Sequence, residues 1–204
     1  MMQLIGDFGS PYVRRVAISM RMLGLAFELR KLSVFRDFAA FAAINPVVKA
    51  PTLIADDGTV LLDSTLILQH AEDLAGRSLL PAEPAARLQA LHLIGFALAA
   101  GEKTVQIVYE RKQRPAEKLY QPWLDRVTVQ LGGALAVLER AAADASPWLV
   151  AGRLTQADVT LAVIWRFVRF MIPDVIDATA HPALAAHSQR AEALPEFLAT
   201  PPEG

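Results

Sequence analysis

Met2-Gln3-Leu4-Ile5-Gly6-Asp7-Phe8-Gly9-Ser10-Pro11-Tyr12-Val13-Arg14-Arg15-Val16 carries the chain from a short apolar strand straight into a helix. Pro11 suits the first helical position, where its missing N–H costs nothing, and Ser10 just before it is a good N-cap. Val13, Val16, Ala17, Met20 and Leu23 then recur near helical spacing, so the pattern predicts a strand over Gln3 to Asp7 and a helix over Pro11 to Leu23. Free backbone N–H groups and the positive end of the helix dipole surround the Ser10 hydroxyl, a setting that favours a thiolate or a phosphate. Taken alone, the segment also fits a serine that only caps its helix.

Outward from this stretch, Phe27 to Leu32 reads as a second strand and completes a βαβ opening. Arg36 to Ile44 has loose patterning and is expected as a short or irregular helix. Thr52-Leu53-Ile54-Ala55 and Val60-Leu61-Leu62 flank Asp56-Asp57-Gly58-Thr59, a strong hairpin signal. Ser64 is expected to cap a helix running to about Ala75, with Asp63 beside it. Gly76 to Pro84 holds one glycine and two prolines and reads as the break between domains, giving 1–78, a linker at 79–84, and 85–204. Beyond it lie Ala- and Leu-rich helical stretches, near Ala85 to Gln113, Ala116 to Ala143, Gln156 to Ile172 and Pro182 to Leu194, with no strand signal. Thr155-Gln156-Ala157-Asp158 resembles a capping box with Asp158 in the usual Glu place. The tail from Thr200 to Gly204 is expected to be mobile.

Composition narrows the function. With 204 residues, 53% of them apolar and 20% charged, the chain can build one large or two small cores. Its formal charge of −1 comes with no basic stripe, which argues against nucleic acid and against an anionic membrane surface. Arg111-Lys112-Gln113-Arg114 is short and bordered by Glu110 and Glu117, a solvated helix end with room for a small anion at most. There is no cysteine, so any sulfur chemistry must use a substrate's sulfur. His70, His92, His181 and His187 lack metal-ligand spacing, and no metal site is expected. No glycine-rich phosphate loop appears, and Gly9-Ser10-Pro11 lacks the glycine of a hydrolase elbow. The N-terminus lacks a basic segment followed by a long apolar one, and Leu88 to Ala100 is too short for a membrane span, which leads to the expectation of a cytoplasmic protein. A mean hydropathy of +0.32 is high for such a chain, and the apolar excess predicts a ligand cleft or a partner subunit, most economically a homodimer.

Four motifs in order carry a resemblance: Ser10 to Val16, Asn45-Pro46-Val47-Val48-Lys49-Ala50-Pro51-Thr52-Leu53, Leu62-Asp63-Ser64, and Leu154-Thr155-Gln156-Ala157-Asp158-Val159-Thr160-Leu161-Ala162. With these the chain resembles the glutathione S-transferase family over nearly its whole length, among bacterial-type members with serine at the catalytic position. The resemblance implies an α/β thioredoxin-like N-terminal domain plus an all-α C-terminal domain. It also implies that Ser10 is catalytic and that Lys49, Ala50, Pro51, Asp63 and Ser64 bind glutathione as co-substrate. Pro51 would then follow a cis bond and offer the Ala50 backbone to the cysteinyl part, whereas without the family it reads as an ordinary strand-entry proline. Ser64 would take the γ-glutamyl carboxylate and Asp63 the amino end, with Lys49 near the glycyl carboxylate. Serine is too weak an acid to serve as a thiolate base, but it can donate a hydrogen bond to sulfur. Tyr12 is the rival hydroxyl, set two residues into the helix.

The second partner implied is a small hydrophobic electrophile. Tyr109, Arg111, Arg114, Trp165 and Arg169 are candidates for its pocket by family position. Arg166 and Arg169, three apart on one helix, suggest a buried ion pair or an anion contact, while Trp165 and Phe170 fit core packing equally well. Conjugation of glutathione to the electrophile is the leading expectation. Peroxide reduction or isomerisation at the same site, and a non-catalytic binding or regulatory role, are the alternatives.

Overall fold

The computed structural model of the protein describes residues 1–202 and divides into two compact units, Met1–Leu79 with Ala193 onward, and Leu80–Glu192. In unit 1, β1 (Gln3–Ile5), α1 (Pro11–Leu23), β2 (Glu28–Arg30), α2 (Phe38–Ala42), β3 (Thr52–Ile54), β4 (Val60–Leu62) and α3 (Ser64–Ala75) follow in order. The four strands form one mixed sheet in the order β2-β1-β3-β4, with β1 parallel to β2 and the other pairs antiparallel. The parallel pair needs the α1 crossover and the antiparallel β3–β4 pair needs only the Asp57-Gly58 turn, so connection length follows strand direction.

Helix α1 is enclosed on nearly every side, with every residue from Val13 to Met20 buried. Val13, Val16, Ala17 and Met20 are fully buried and pack with Leu4, Leu53, Ile67 and Ala71, so strands and α3 share a single apolar core. Gly24 in the left-handed region ends the helix, its N–H bonding the carbonyls of the last turn. Burying such side chains contributes about 1.5–3 kcal/mol each, which offsets the short strands' own poor pairing.

In unit 2, α4 (Pro84–Lys112), α5 (Gln121–Ala143), α6 (Gln156–Met171) and α7 (Pro182–Glu192) pack around Leu93, Ile107, Leu131, Leu135, Leu161 and Trp165. Among the described residues its only strand-like pairing is an isolated bridge between Val150 and Arg153. No helix among the described residues is long and apolar enough to cross a membrane.

Three features differ from the sequence reading. Pro84 is the first residue of α4 rather than linker, capped by the Glu83 carboxylate, which accepts from the Ala85 and Ala86 amides. Gln121 starts α5 after a separate 3-10 turn at Ala116–Lys118, because Pro122 suits a helix start and not an interior. The C-terminal segment returns to unit 1: α8 (Pro195–Leu198) follows α7, and Thr200 is fully buried rather than mobile. Arg14 on α1 explains this, since its Nε donates to the Thr200 carbonyl at 2.8 Å and its guanidinium lies over the Phe197 ring. Glu203 and Gly204, the end of the tail expectation, lie outside the described residues.

Candidate functional site

Register gathers the sequence-predicted residues at one end of the sheet. Ile5 pairs with Thr52, and Thr52 pairs with Leu62. The residues beyond these partners, Gly6 after β1, Pro51 before β3 and Asp63 after β4, therefore emerge side by side. Gly6 holds φ +137, and a Cβ there would lie 2.6 Å from the Val13 side chain and 3.3 Å from the Ala50 Cβ. Only glycine permits that approach, which brings the start of α1 against the Ala50 loop.

Ser10 is the N-cap of α1, with extended backbone and a hydroxyl that accepts from the Val13 amide at a long 3.4 Å. The turn before it is braced by the Asp7 carboxylate, which accepts from the Gly9 amide at 2.9 Å. The Ser10 oxygen is half-buried and holds only this one weak contact among the described residues, so its proton is available to a ligand. Tyr12, two residues further on, is half-buried.

The Ala50–Pro51 peptide bond is cis. Its loop is shaped by Asn45, which is buried, donates to the Thr52 hydroxyl at 2.9 Å and accepts from the Val47 amide at 2.9 Å. Thr52 in turn donates to the Lys49 carbonyl at 2.7 Å. Lys49 itself is exposed. A second cis bond, Ser146–Pro147, lies in unit 2 and had no sequence signal.

At α3 the cap is Asp63, not Ser64. Asp63 sits at φ 70 and ψ 124, and its Oδ1 accepts from the Thr65 and Leu66 amides at 2.8 and 3.3 Å. The longer carboxylate spans two amides at once, so Ser64 becomes the first helical residue. A non-glycine residue at positive φ costs about 1–3 kcal/mol, an expense that clusters at functional sites. Ser64 is buried, and its hydroxyl accepts from Arg15 Nη1 at 2.9 Å. Arg15 also donates to the Thr65 hydroxyl at 3.3 Å. Burial pushes the Arg15 guanidinium down to about 10, with Asp63 and Tyr12 pulling it back up, so it remains a cation at neutral pH.

Arg15, Asn45 and Thr65 escaped the sequence reading. For Arg15 a signal existed: it falls one turn after Pro11 within the apolar run of α1, where a cation must find partners. Asn45 opens one of the motifs quoted above, but no role could be read for it there, because that role depends on a loop returning to β3.

In unit 2 the pocket candidates take structural partners. Arg111 pairs with Asp174 at 2.8 Å, Arg114 with Glu110 at 3.0 Å, and Arg169 donates to the Ile176 carbonyl at 2.9 Å. Arg166 is exposed and Arg169 only half-buried, so neither enters the buried ion pair that the sequence suggested for α6. Trp165 is core and meets His181 edge-on, whereas Phe170 is exposed, contrary to its expected packing role. Tyr109 is partly exposed, and burial of the remainder pushes its hydroxyl up. The capping box is present: Thr155 and Asp158 close the start of α6 on each other.

A thioredoxin-like sheet with the proline junction beside two helix starts, followed by a helical unit, defines the class. The family models for the glutathione S-transferase N-terminal and C-terminal domains match residues 4–79 and 121–190. The chain belongs to the glutathione S-transferase family. It is similar to the uncharacterized GST-like protein YibF of Escherichia coli (strain K12), 30% identical over 165 residues that cover 80% of this chain and 77% of that one. Among solved structures it resembles a glutathione S-transferase from Methylobacterium radiotolerans in complex with glutathione sulfonate, with TM-score 0.92 and 30% identity over 100% of this chain and 95% of that one. It also resembles a Pseudomonas fluorescens Pf-5 family member with bound glutathione, with TM-score 0.87 and 32% identity over the whole of both chains.

Proposed function

We propose that this protein binds glutathione in unit 1 and catalyses attack of its sulfur on a small hydrophobic electrophile. The observation that carries the reading is the register that brings the β1–α1 connection leading to Ser10, the cis Ala50–Pro51 bond and Asp63-Ser64 to one end of the sheet. Similar chains with bound glutathione or its sulfonate support the choice of ligand.

The γ-glutamyl carboxylate meets the Ser64 hydroxyl and the start of α3, and the ammonium beside it meets the exposed Asp63 carboxylate. The Ala50 backbone pairs with the cysteinyl unit, Pro51 fixes that backbone, and Lys49 neutralises the glycyl carboxylate. These contacts deliver the sulfur to Ser10, whose hydroxyl donates to it while the α1 dipole adds in the same sense. The thiol proton leaves to water. A thiol near 8.5 in water becomes largely ionised at neutral pH once lowered by about two units, each worth about 1.4 kcal/mol. The sulfur lone pair then forms the new S–C bond, and the electrophile releases its leaving group or takes a proton on the adjacent carbon. Exposed Leu66 and Leu74 on α3 support a homodimer as the working form, and the cytoplasm is the compartment proposed for it.

Calorimetric titration with reduced glutathione, run on the wild type, Ser64→Ala and Ser10→Ala, tests this directly. Ser64→Ala should lose most of the affinity, while Ser10→Ala should keep it and lower turnover with an aryl halide by about 100-fold, the usual cost of a lost transition-state donor. A Ser10→Ala variant with unchanged turnover and unchanged bound-thiol pKa removes Ser10 from the chemistry. Faster turnover of an organic hydroperoxide than of the aryl halide moves the reaction to peroxide reduction. A folded wild type that does not bind glutathione ends the proposal.

A further inference from the structure

Arg15 is the least expected group in unit 1. It is 1% exposed, it sits within an apolar helix face, and no carboxylate hydrogen-bonds it among the described residues. Its two acceptors are neutral hydroxyls, Ser64 and Thr65, and its Nε has no hydrogen-bond partner among the described residues. Burial of a cation on neutral acceptors is costly. Its direction raises the cost further, because Nη1 points at the start of α3, itself the positive end of a helix dipole. Asp63 compensates only in part, since its Oδ1 is engaged by two amides.

Proton accounting shows what the arrangement provides. A hydroxyl has one proton and two lone pairs. With a lone pair of each taken by Arg15, the Ser64 and Thr65 protons remain, and no protein acceptor among the described residues takes either one. The Ser64 amide is likewise the first-turn donor that Asp63 does not take. Donors from two hydroxyls and one amide, backed by a buried cation, converge where only an anion balances them.

We propose that Arg15 is the positioning residue of the carboxylate end of the site, fixing and polarising the Ser64 and Thr65 hydroxyls so that both donate outward to a ligand carboxylate. This rests on the glutathione reading and goes beyond it: Arg15 acts through the two hydroxyls, and its consequence is selectivity for a carboxylate over an uncharged group at that position. It takes no part in the sulfur chemistry.

The test titrates wild type, Arg15→Lys and Arg15→Gln with glutathione and with the analogue whose γ-glutamyl α-carboxylate is a carboxamide. Wild type should prefer glutathione by about 30-fold or more, as expected of a charge-assisted contact, and Arg15→Gln should reduce the preference to about threefold. KM for glutathione should rise about tenfold in Arg15→Gln with kcat and the bound-thiol pKa unchanged, the signature of lost uniform binding. A purely structural Arg15 would weaken both ligands alike and leave their ratio intact, and that result overturns the proposal. Arg15→Lys keeps the charge without the planar fork and should fall between the two, so it decides the matter where Arg15→Gln does not fold; wild-type selectivity in Arg15→Lys also overturns it. A wild type that binds neither ligand defeats the glutathione reading itself, whereas a wild type that binds and discriminates with indifferent Arg15 variants defeats only the role of Arg15.

Discussion

The starts of α3 and α6 are built from the same chemistry, an aspartate and a hydroxyl residue, and they put it to opposite uses. At α6 the carboxylate of Asp158 accepts from the Leu149 amide, the Thr155 amide and the Thr155 hydroxyl, all at 2.8 Å, with both side chains fully buried. The Thr155 hydroxyl also accepts from the Ala157 amide, so the junction closes on itself. At α3 the aspartate is exposed and strained, the Ser64 hydroxyl only accepts, and a buried arginine supports it from behind. A helix start that satisfies itself stabilises the fold; one left with donors to spare is prepared for a ligand.

The largest effect expected from this contrast is on stability at α6. Asp158→Ala removes three buried hydrogen bonds and leaves two amides without partners, which should cost about 3–4 kcal/mol in urea denaturation. Glutathione affinity of the molecules that remain folded should stay at the wild-type value. Next comes the mirror image: Ser64→Ala should cost glutathione affinity about 10–100-fold, while stability falls by about 1 kcal/mol because Arg15 keeps its Thr65 contact. Equal stability losses in the two variants would erase the distinction between the junctions. Ser10→Ala should show less in stability than either, near the low end for an N-cap, since its contact to Val13 is already long.

How far each junction could be read beforehand follows from the range of its contacts. The α6 box is local: Thr155 and Asp158 are three residues apart, and the pattern alone identifies it. The α1 start is equally local, and the structure has Ser10 as cap and Pro11 first, with the helix ending at Leu23. At α3 the local reading placed a serine cap, whereas the cap is Asp63, because the Ser64 hydroxyl is claimed by Arg15 from 49 positions earlier. The C-terminal tail shows the same limit, as Thr200 is held by Arg14 from 186 positions away. Spacing rules see neighbours within a helical turn or across a hairpin turn; partners brought together by the sheet and the helices packed on it leave no mark in the sequence. Where one end of a long-range contact is a buried cation, however, its very presence on an apolar helix face is a signal, and Arg14-Arg15 was that signal.

The smallest effect concerns pH, and it separates the two junctions without touching either capping residue. His187 on α7 is buried beside Asp158, its Nε2 lying 3.5 Å from the Asp158 carbonyl and 3.7 Å from Oδ1, with the Trp148 ring edge-on. Burial pushes the imidazole below its ordinary value; Asp158 pulls it partly back up and Arg190 adds to the depression. A histidine lowered in the folded state is protonated more readily in the unfolded one, so its contribution is fully present above the unfolded value near 6.5 and declines as pH falls through and below it. Denaturation midpoints measured from about pH 8 to 5 should therefore drop below about 6.5, and His187→Gln should flatten that segment of the curve. Because the group belongs to the closed α6 junction, selectivity for the carboxylate ligand at α3 should be the same in His187→Gln and wild type at every pH of the series. An unaltered slope in His187→Gln assigns the loss of stability to other groups, and a change in ligand selectivity would mean that the two junctions are not energetically independent.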